Sequence, residues 1–124
     1  MCEILIIDDD EPIRLMLRTL FEKKGYSVED ASNGVEGYKL FLDNPSNVVI
    51  LDMLMPVKDG IETMISLKKD FPGVKIIAIS GGGVVNPDVY LSLAQKLGAD
   101  YTFQKPVEKN KLLSAVESLI QGNL

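Results

Sequence analysis

Five side chains that could carry out chemistry each lie at the end of an apolar run. Asp8 and Asp9 follow the first run, Asp52 a later one, Ser80 the next, and Lys105 the last. If these runs are parallel strands of one sheet, the five residues share its carboxyl edge, where ligands of open α/β sheets bind. Three crowded carboxylates repel one another, so either one is protonated or a cation lies among them. Carboxylate oxygens suit Mg²⁺, whereas a lysine and a hydroxyl suit phosphoryl oxygens. The pattern indicates phosphoryl transfer, with a carboxylate able to act as nucleophile.

Each of these residues also has an ordinary structural explanation. Asp8, Asp9 or Asp10 could cap a helix, Ser80 could cap a turn, and Lys105 could be a surface lysine. For any one of them taken alone the structural explanation is favoured. Their joint occurrence at the strand ends of one sheet edge favours a functional site. We assign Asp10 alone to the structural role, as a helix cap.

Alternating strands and helices must position these residues. Short apolar runs predict strands at 3–7, 26–30, 48–51, 74–79 and 101–103. Apolar residues at helical spacing predict helices around 13–21, 35–42, 61–67, 91–97 and 112–120. Because the connections are short, this βα alternation predicts an α/β fold with a single doubly wound, five-stranded parallel sheet.

Helix boundaries are predicted from capping residues. Asp10 precedes Pro12, which suits a first helical turn. Asn33 with Glu36, and Asp59 with Glu62, have the spacing of capping pairs. Helix-ending residues follow the five apolar stripes at Gly25, Pro45, Pro72, Gly98 and Gly122.

Composition excludes several kinds of protein. The 124 residues are 46% hydrophobic, which is enough for one domain with a full core. A net charge of −5 without a Lys/Arg cluster argues against nucleic-acid binding by this domain. No apolar run approaches the ~20 residues of a membrane span, and no signal peptide precedes the first strand. The single cysteine, Cys2, fits a reducing compartment, so we expect a cytoplasmic protein. The absence of histidine excludes His-based catalysis and His-ligated metals.

The motifs together are highly specific. They are the stretches 4–11, 51–56 with Asp59-Gly60, 77–80, 97–100 and Lys105-Pro106. Over its whole length, 1–124, the chain resembles the receiver domain of bacterial two-component response regulators. The resemblance implies a (βα)5 flavodoxin-like fold.

The resemblance implies a phosphoacceptor and a metal site. The residue matching the phosphoacceptor, which takes a phosphoryl group from a phosphohistidine on a sensor kinase, is Asp52. Asp8 and Asp9, together with Asp52 and the backbone carbonyl of Leu54, would hold Mg²⁺. The missing histidine then belongs to the partner. Such a domain is not an enzyme for external substrates, since it catalyses only its own phosphotransfer and dephosphorylation.

The resemblance also implies a switch. Lys105 would contact the phosphoryl group, Ser80 would move toward it, and the bond before Pro106 would be cis. The family usually has an aromatic residue where this chain has Thr102, while Tyr101 should point to the opposite face of its strand. The aromatic part of the switch is therefore in question.

A second departure lies in the loop after Ser80. The stretch up to Gly98 is about three residues longer than is common, and the glycines 81–83 occupy it. Val84 and Val85 in this loop are a docking point or, more simply, pack against the domain.

The implied partners are a sensor histidine kinase or phosphotransfer protein and a downstream target. The target would contact the fourth helix, fifth strand and fifth helix. No nucleic acid or membrane is expected to bind this domain, which would be a monomer or a phosphorylation-dependent homodimer. The chain is either a stand-alone receiver or part of a longer regulator.

Three alternative functions agree less well with these residues. A haloacid-dehalogenase-type phosphatase would use Asp8-x-Asp10, but it needs a further strand-end acid, and 106–124 contains no Asp. A nucleotide-binding module would need a Gly-rich loop after the first strand, where this chain has acids. A pseudo-receiver that only binds partners is disfavoured by the intact set of site residues.

Overall fold

The computed structural model of the protein describes residues 2–55, 60–81 and 87–121. Strands and helices alternate throughout. The strands are β1 (Ile4–Ile7), β2 (Val28–Ala31), β3 (Val48–Asp52), β4 (Ile76–Ser80) and β5 (Tyr101–Gln104). The helices are α1 (Glu11–Lys23), α2 (Gly34–Asp43), α3 (Gly60–Asp70), α4 (Pro87–Lys96) and α5 (Lys109–Ile120). Of the helices in these described ranges, none is both long and apolar enough to span a membrane.

All five strands form one parallel sheet in the order β2-β1-β3-β4-β5. The predicted flavodoxin-like α/β fold is thus confirmed. The order of the strands along the sheet reverses beside β1, and β3 lies at the centre of the sheet between β1 and β4. A reversal of strand order of this kind opens a crevice at the carboxyl ends of the strands.

Two apolar layers cover the sheet. Leu17 and Phe21 of α1 and Leu112 of α5 pack on one face, where alternate residues of β1, β3 and β4, such as Ile50, are buried. Helices α2, α3 and α4 pack on the other face around Leu51. All residues of β1, β3 and β4 are buried, as expected of parallel strands covered on both sides.

Two predicted strands begin later than expected. The backbone N–H of Tyr26 donates to the carbonyl of Phe21, and the two rings meet edge to face, so Tyr26 belongs to the turn after α1. The N–H of Val74 likewise donates to the carbonyl of Phe71 in the turn before β4. Local turn hydrogen bonds therefore shorten β2 and β4 at their amino ends.

Helix caps largely follow the prediction. Asp10 accepts a hydrogen bond from the N–H of Ile13, and Asn33 accepts one from Glu36. The Glu36 carboxylate accepts from the N–H of Ser32 rather than from Asn33. The predicted caps at Asp59 and Gly122 lie outside the described residues.

The start of α3 packs tightly against the end of β3. The N–H of Gly60 donates to the carbonyl of Met53 at 3.2 Å. A Cβ at Gly60 would overlap the Met53 Cα and the Asp52 carbonyl oxygen. Only glycine allows this close approach without backbone movement, and the contact fixes the chain beside Asp52.

Candidate functional site

Three carboxylates converge at the carboxyl edge of the sheet. Ile7 of β1 is in register with Leu51 of β3, so Asp8 and Asp52 follow at neighbouring positions. Asp9 completes the group, since one ligand oxygen from each of the three residues lies within 4.8 Å of the others. Asp8 is 0% and Asp52 is 3% exposed, whereas Asp9 is exposed to solvent. The sequence prediction of a carboxylate cluster at this edge is consistent with the geometry.

Lys105 is the cation that contacts this cluster. Its Nζ lies 3.1 Å from Oδ2 of Asp8 and 3.4 Å from Oδ2 of Asp52. Its backbone N–H donates to the carbonyl of Ser80 at 2.8 Å, and the peptide bond to Pro106 is cis, as expected. The β4–β5 pairing therefore carries the lysine to the carboxylates.

Burial perturbs the charges of the site. It raises the pKa of Asp52 from 3.8 to about 7, with a further increase from the charge of Asp8. Lys105 and the backbone N–H of Leu54, which donates to Oδ1 of Asp52 at 3.1 Å, act in the opposite direction. Burial alone would lower the pKa of Lys105, but the charges of Asp52 and Asp8 outweigh it and raise that pKa. A second cation beside Asp52 would relieve the cost of its ionised form.

The donor set fits Mg²⁺. Oδ1 of Asp8 accepts the N–H of Asp10 at 2.9 Å, but Oδ2 accepts no hydrogen bond from the described residues. Lys105 Nζ is close to this oxygen, and we treat that contact as ionic because it lacks hydrogen-bond geometry. A buried carboxylate oxygen without a hydrogen bond is an available metal ligand. When ionised, the three carboxylates carry more negative charge than one lysine compensates.

Ser80 ends β4 at the same edge and is 1% exposed. Thr102 of β5 is half-buried and in register with Ala78, on the α4 side of the sheet. The rings of Tyr101 and Phe103 stack at 6.4 Å and so share the opposite face, which matches the expected orientation of Tyr101. The predicted switch roles of Ser80 and Thr102 stay predictions. Residues 82–86, including Val84 and Val85, lie outside the described ranges.

Sequence reasoning missed one ion-pair network beside the site. Arg14 of α1 bonds to Asp30 of β2 and to the backbone carbonyl of Asp8. No site residue is predicted at the end of the second strand. The available signal was Asp30, an acid within a strand whose first and last residues, Val28 and Ala31, are buried.

Comparisons with known proteins agree with this geometry. The family model described as "Response regulator receiver domain" matches residues 4–117. The chemotaxis protein CheY of Halobacterium salinarum is 29% identical over 95% of this chain and 96% of its own length. The transcriptional regulatory protein CpxR homolog of Haemophilus influenzae is 31% identical over 98% of this chain but 51% of its own. The chain therefore spans nearly all of one relative and about half of the other.

A solved structure extends the comparison to three dimensions. The crystal structure of a response regulator receiver domain protein from Clostridium thermocellum is 33% identical in sequence and superposes with a TM-score of 0.88. The match covers 98% of this chain and 95% of that one.

Proposed function

Since the chain belongs to the response regulator receiver domain family and has the phosphoacceptor function of two-component signalling, we propose that Asp52 accepts the phosphoryl group. One observation carries this assignment. Asp52 ends the central strand β3, with Asp8 and Asp9 on the β1 side and Ser80 on the β4 side. Of these carboxylates, Asp52 is the one positioned to contact both a metal ion and the Ser80 hydroxyl.

The proposed transfer uses an oxygen of Asp52 as nucleophile. It attacks the phosphorus of a phosphohistidine on the partner, because this chain has no histidine of its own. The phosphorus–nitrogen bond breaks, its electron pair returns to the imidazole, and an acyl phosphate forms. Lys105 compensates the charge on the phosphoryl oxygens, and the reaction depends mainly on positioning and electrostatics.

Asp8, Asp9, Asp52 and the carbonyl of Leu54 would hold Mg²⁺. When bound, the ion would neutralise and orient the phosphoryl oxygens. The buried Oδ2 of Asp8 accepts no hydrogen bond from the described residues and pairs ionically with Lys105, which supports this ligand set. The ligand role of the Leu54 carbonyl rests on the family resemblance.

Loss of the phosphoryl group completes the proposed cycle. A water attacks the phosphorus, the bond to Asp52 breaks, and inorganic phosphate leaves. The domain then catalyses only its own phosphorylation and dephosphorylation.

We place the output on the face formed by α4, β5 and α5. Ser80 would move toward the three new acceptor oxygens on Asp52, and half-buried Thr102 would respond in place of an aromatic residue. On this face Val89 is 58% exposed, and Leu93 and Tyr101 are each 37% exposed. These apolar side chains suit a downstream target or a second phosphorylated copy. Members of the family interact with histidine kinases upstream and with output domains downstream.

Mass spectrometry after incubation with acetyl phosphate and Mg²⁺ tests the proposal. The protein should gain one phosphoryl group, and Asp52→Asn should gain none. Asp43→Asn makes the same chemical change at an exposed carboxylate of α2 and should label like the wild type. Normal labelling of Asp52→Asn would assign the phosphoacceptor to another residue.

A further inference from the structure

Arg14 of α1 forms a bridge between β2 and the metal-site carboxylate Asp8. Its Nε donates to Oδ1 of Asp30 at 3.1 Å, and its NH1 donates to the backbone carbonyl of Asp8 at 2.8 Å. The Arg14 side chain is 14% exposed and that of Asp30 is 21% exposed. The guanidinium is a planar fork whose nitrogens reach two acceptors at once, so its orientation is defined by this pair of bonds.

All polar groups of Asp8 other than Oδ2 form hydrogen bonds. Its N–H donates to the carbonyl of Ala31 at 3.1 Å, and its Oδ1 accepts the N–H of Asp10 at 2.9 Å. Arg14 adds the third restraint, at the carbonyl oxygen. The three bonds leave Oδ2 without a hydrogen bond from the described residues, and it lies 3.1 Å from the Lys105 Nζ that also contacts Asp52.

We infer that Arg14 is a positioning residue for Mg²⁺, which fixes the backbone of Asp8 so that Oδ2 faces the ion. Asp30 holds Arg14 from the neighbouring strand. The inference rests on the proposed function and deepens it, because it assigns β2 and α1 a part in metal binding. Groups that orient a metal ligand commonly change metal affinity by about 10- to 100-fold when they are removed.

Charge and position make opposite predictions for Arg14. A fixed positive charge close to Mg²⁺ repels the ion. If only the charge of Arg14 mattered, replacing it with a neutral residue would therefore tighten Mg²⁺ binding. Loss of positioning would weaken binding, because Oδ2 of Asp8 would no longer be held toward the ion. The sign of the change therefore separates the two roles, and a loss of global stability would not by itself change the affinity of the folded protein.

The experiment is a Mg²⁺ titration of the full chain without phosphodonor, followed by amide NMR shifts. Arg14→Gln should raise the dissociation constant for Mg²⁺ about tenfold. Arg14→Lys keeps the charge but loses the fork, and it should give a smaller increase. At saturating Mg²⁺, labelling of Arg14→Gln by acetyl phosphate should return to within about twofold of wild type, because Asp52 and Lys105 are unchanged.

Arg18→Gln is the matched control. Arg18 lies one turn further along α1 and also pairs with Asp30, but its described hydrogen bonds go to Asp30 and Glu22, not to Asp8. Its removal leaves both hydrogen bonds of Arg14 possible. The Mg²⁺ dissociation constant of Arg18→Gln should stay within about twofold of wild type.

Two results would overturn the inference. One is Mg²⁺ binding by Arg14→Gln that equals or exceeds that of wild type, and the other is equal weakening in Arg18→Gln. If Arg14→Gln does not fold, the comparison of Arg14→Lys with Arg18→Lys decides in the same way. Failure of the proposed function would be seen separately, as a wild-type protein that is not labelled on Asp52.

Discussion

At the scale of single residues, burial makes the ionised form of the Asp52 carboxylate unfavourable. The carboxylate is 3% exposed and lies beside the carboxylate of Asp8, so water solvates it poorly. Lys105 offsets only part of this cost, and the pKa of Asp52 remains near 7. A group whose pKa is raised on folding binds protons more tightly in the folded state.

This gives a pH-dependent prediction for the protein without Mg²⁺. Between about pH 4 and pH 7 the folded state holds more protons on Asp52 than the unfolded state does, so the free energy of unfolding falls as pH rises through that window. Asp52→Asn should therefore stabilise the protein by on the order of 2 kcal/mol at pH 8 and by less at pH 5. Urea unfolding with a metal chelator measures both values. An equal gain at both pH values in Asp52→Asn would contradict the prediction.

The sequence predicted the five strand-end residues because each follows an apolar run that has to be buried. Their common edge follows when those buried runs are parallel strands, which the βα alternation predicts. Asp8, Asp52, Ser80 and Lys105 could be placed there on this basis. The bridge from Arg14 could not, since it depends on how α1 is rotated against β2. The pKa of Asp52 also depends on packing that no local pattern encodes.

At the scale of elements, the junction of β3 and α3 positions Asp52, the proposed phosphoacceptor. Gly60 begins α3 and lies against the backbone of Asp52 and Met53. Sequence reasoning placed a helix start here, because Asp59 and Glu62 have the spacing of a capping pair and apolar residues at helical spacing follow. It did not reveal the close approach, which follows from how the helix packs on the sheet.

Gly60→Ala should therefore destabilise the protein by about 2 kcal/mol or more, because its Cβ would overlap main-chain atoms that cannot rotate away. Movement of the β3 end should also slow labelling of Asp52 by acetyl phosphate. Gly73→Ala is the matched control, since a Cβ there meets no atom within 4 Å, and its stability should stay within about 1 kcal/mol of wild type. Urea unfolding measures both variants, and equal stabilities would show that the α3 junction tolerates a side chain.

At the scale of the whole molecule, the site joins elements that are distant in sequence. Asp8 follows β1, Asp52 ends β3 and Lys105 follows β5. The three residues meet because β1, β3, β4 and β5 are consecutive in the sheet. The βα alternation predicted the parallel sheet, but the strand order became known only from the pairings. An ion bound by residues so far apart in sequence stabilises the folded chain as a whole, because the unfolded chain does not hold these ligands together.

Mg²⁺ should accordingly raise the free energy of unfolding. At a concentration of about ten times its dissociation constant the linkage is ~1.4 kcal/mol, which corresponds to roughly 5 °C in melting temperature for a chain of this size. The increase should be larger at pH 8 than at pH 5, because protons compete with the ion for Asp52, whose pKa is raised to about 7. Asp9→Asn removes a proposed ligand whose side chain is exposed, so it should reduce the Mg²⁺ effect without a large loss of stability in the metal-free protein. Melting curves recorded against NaCl of equal ionic strength separate binding from screening. An undiminished Mg²⁺ response in Asp9→Asn would transfer its ligand role to another group at this edge.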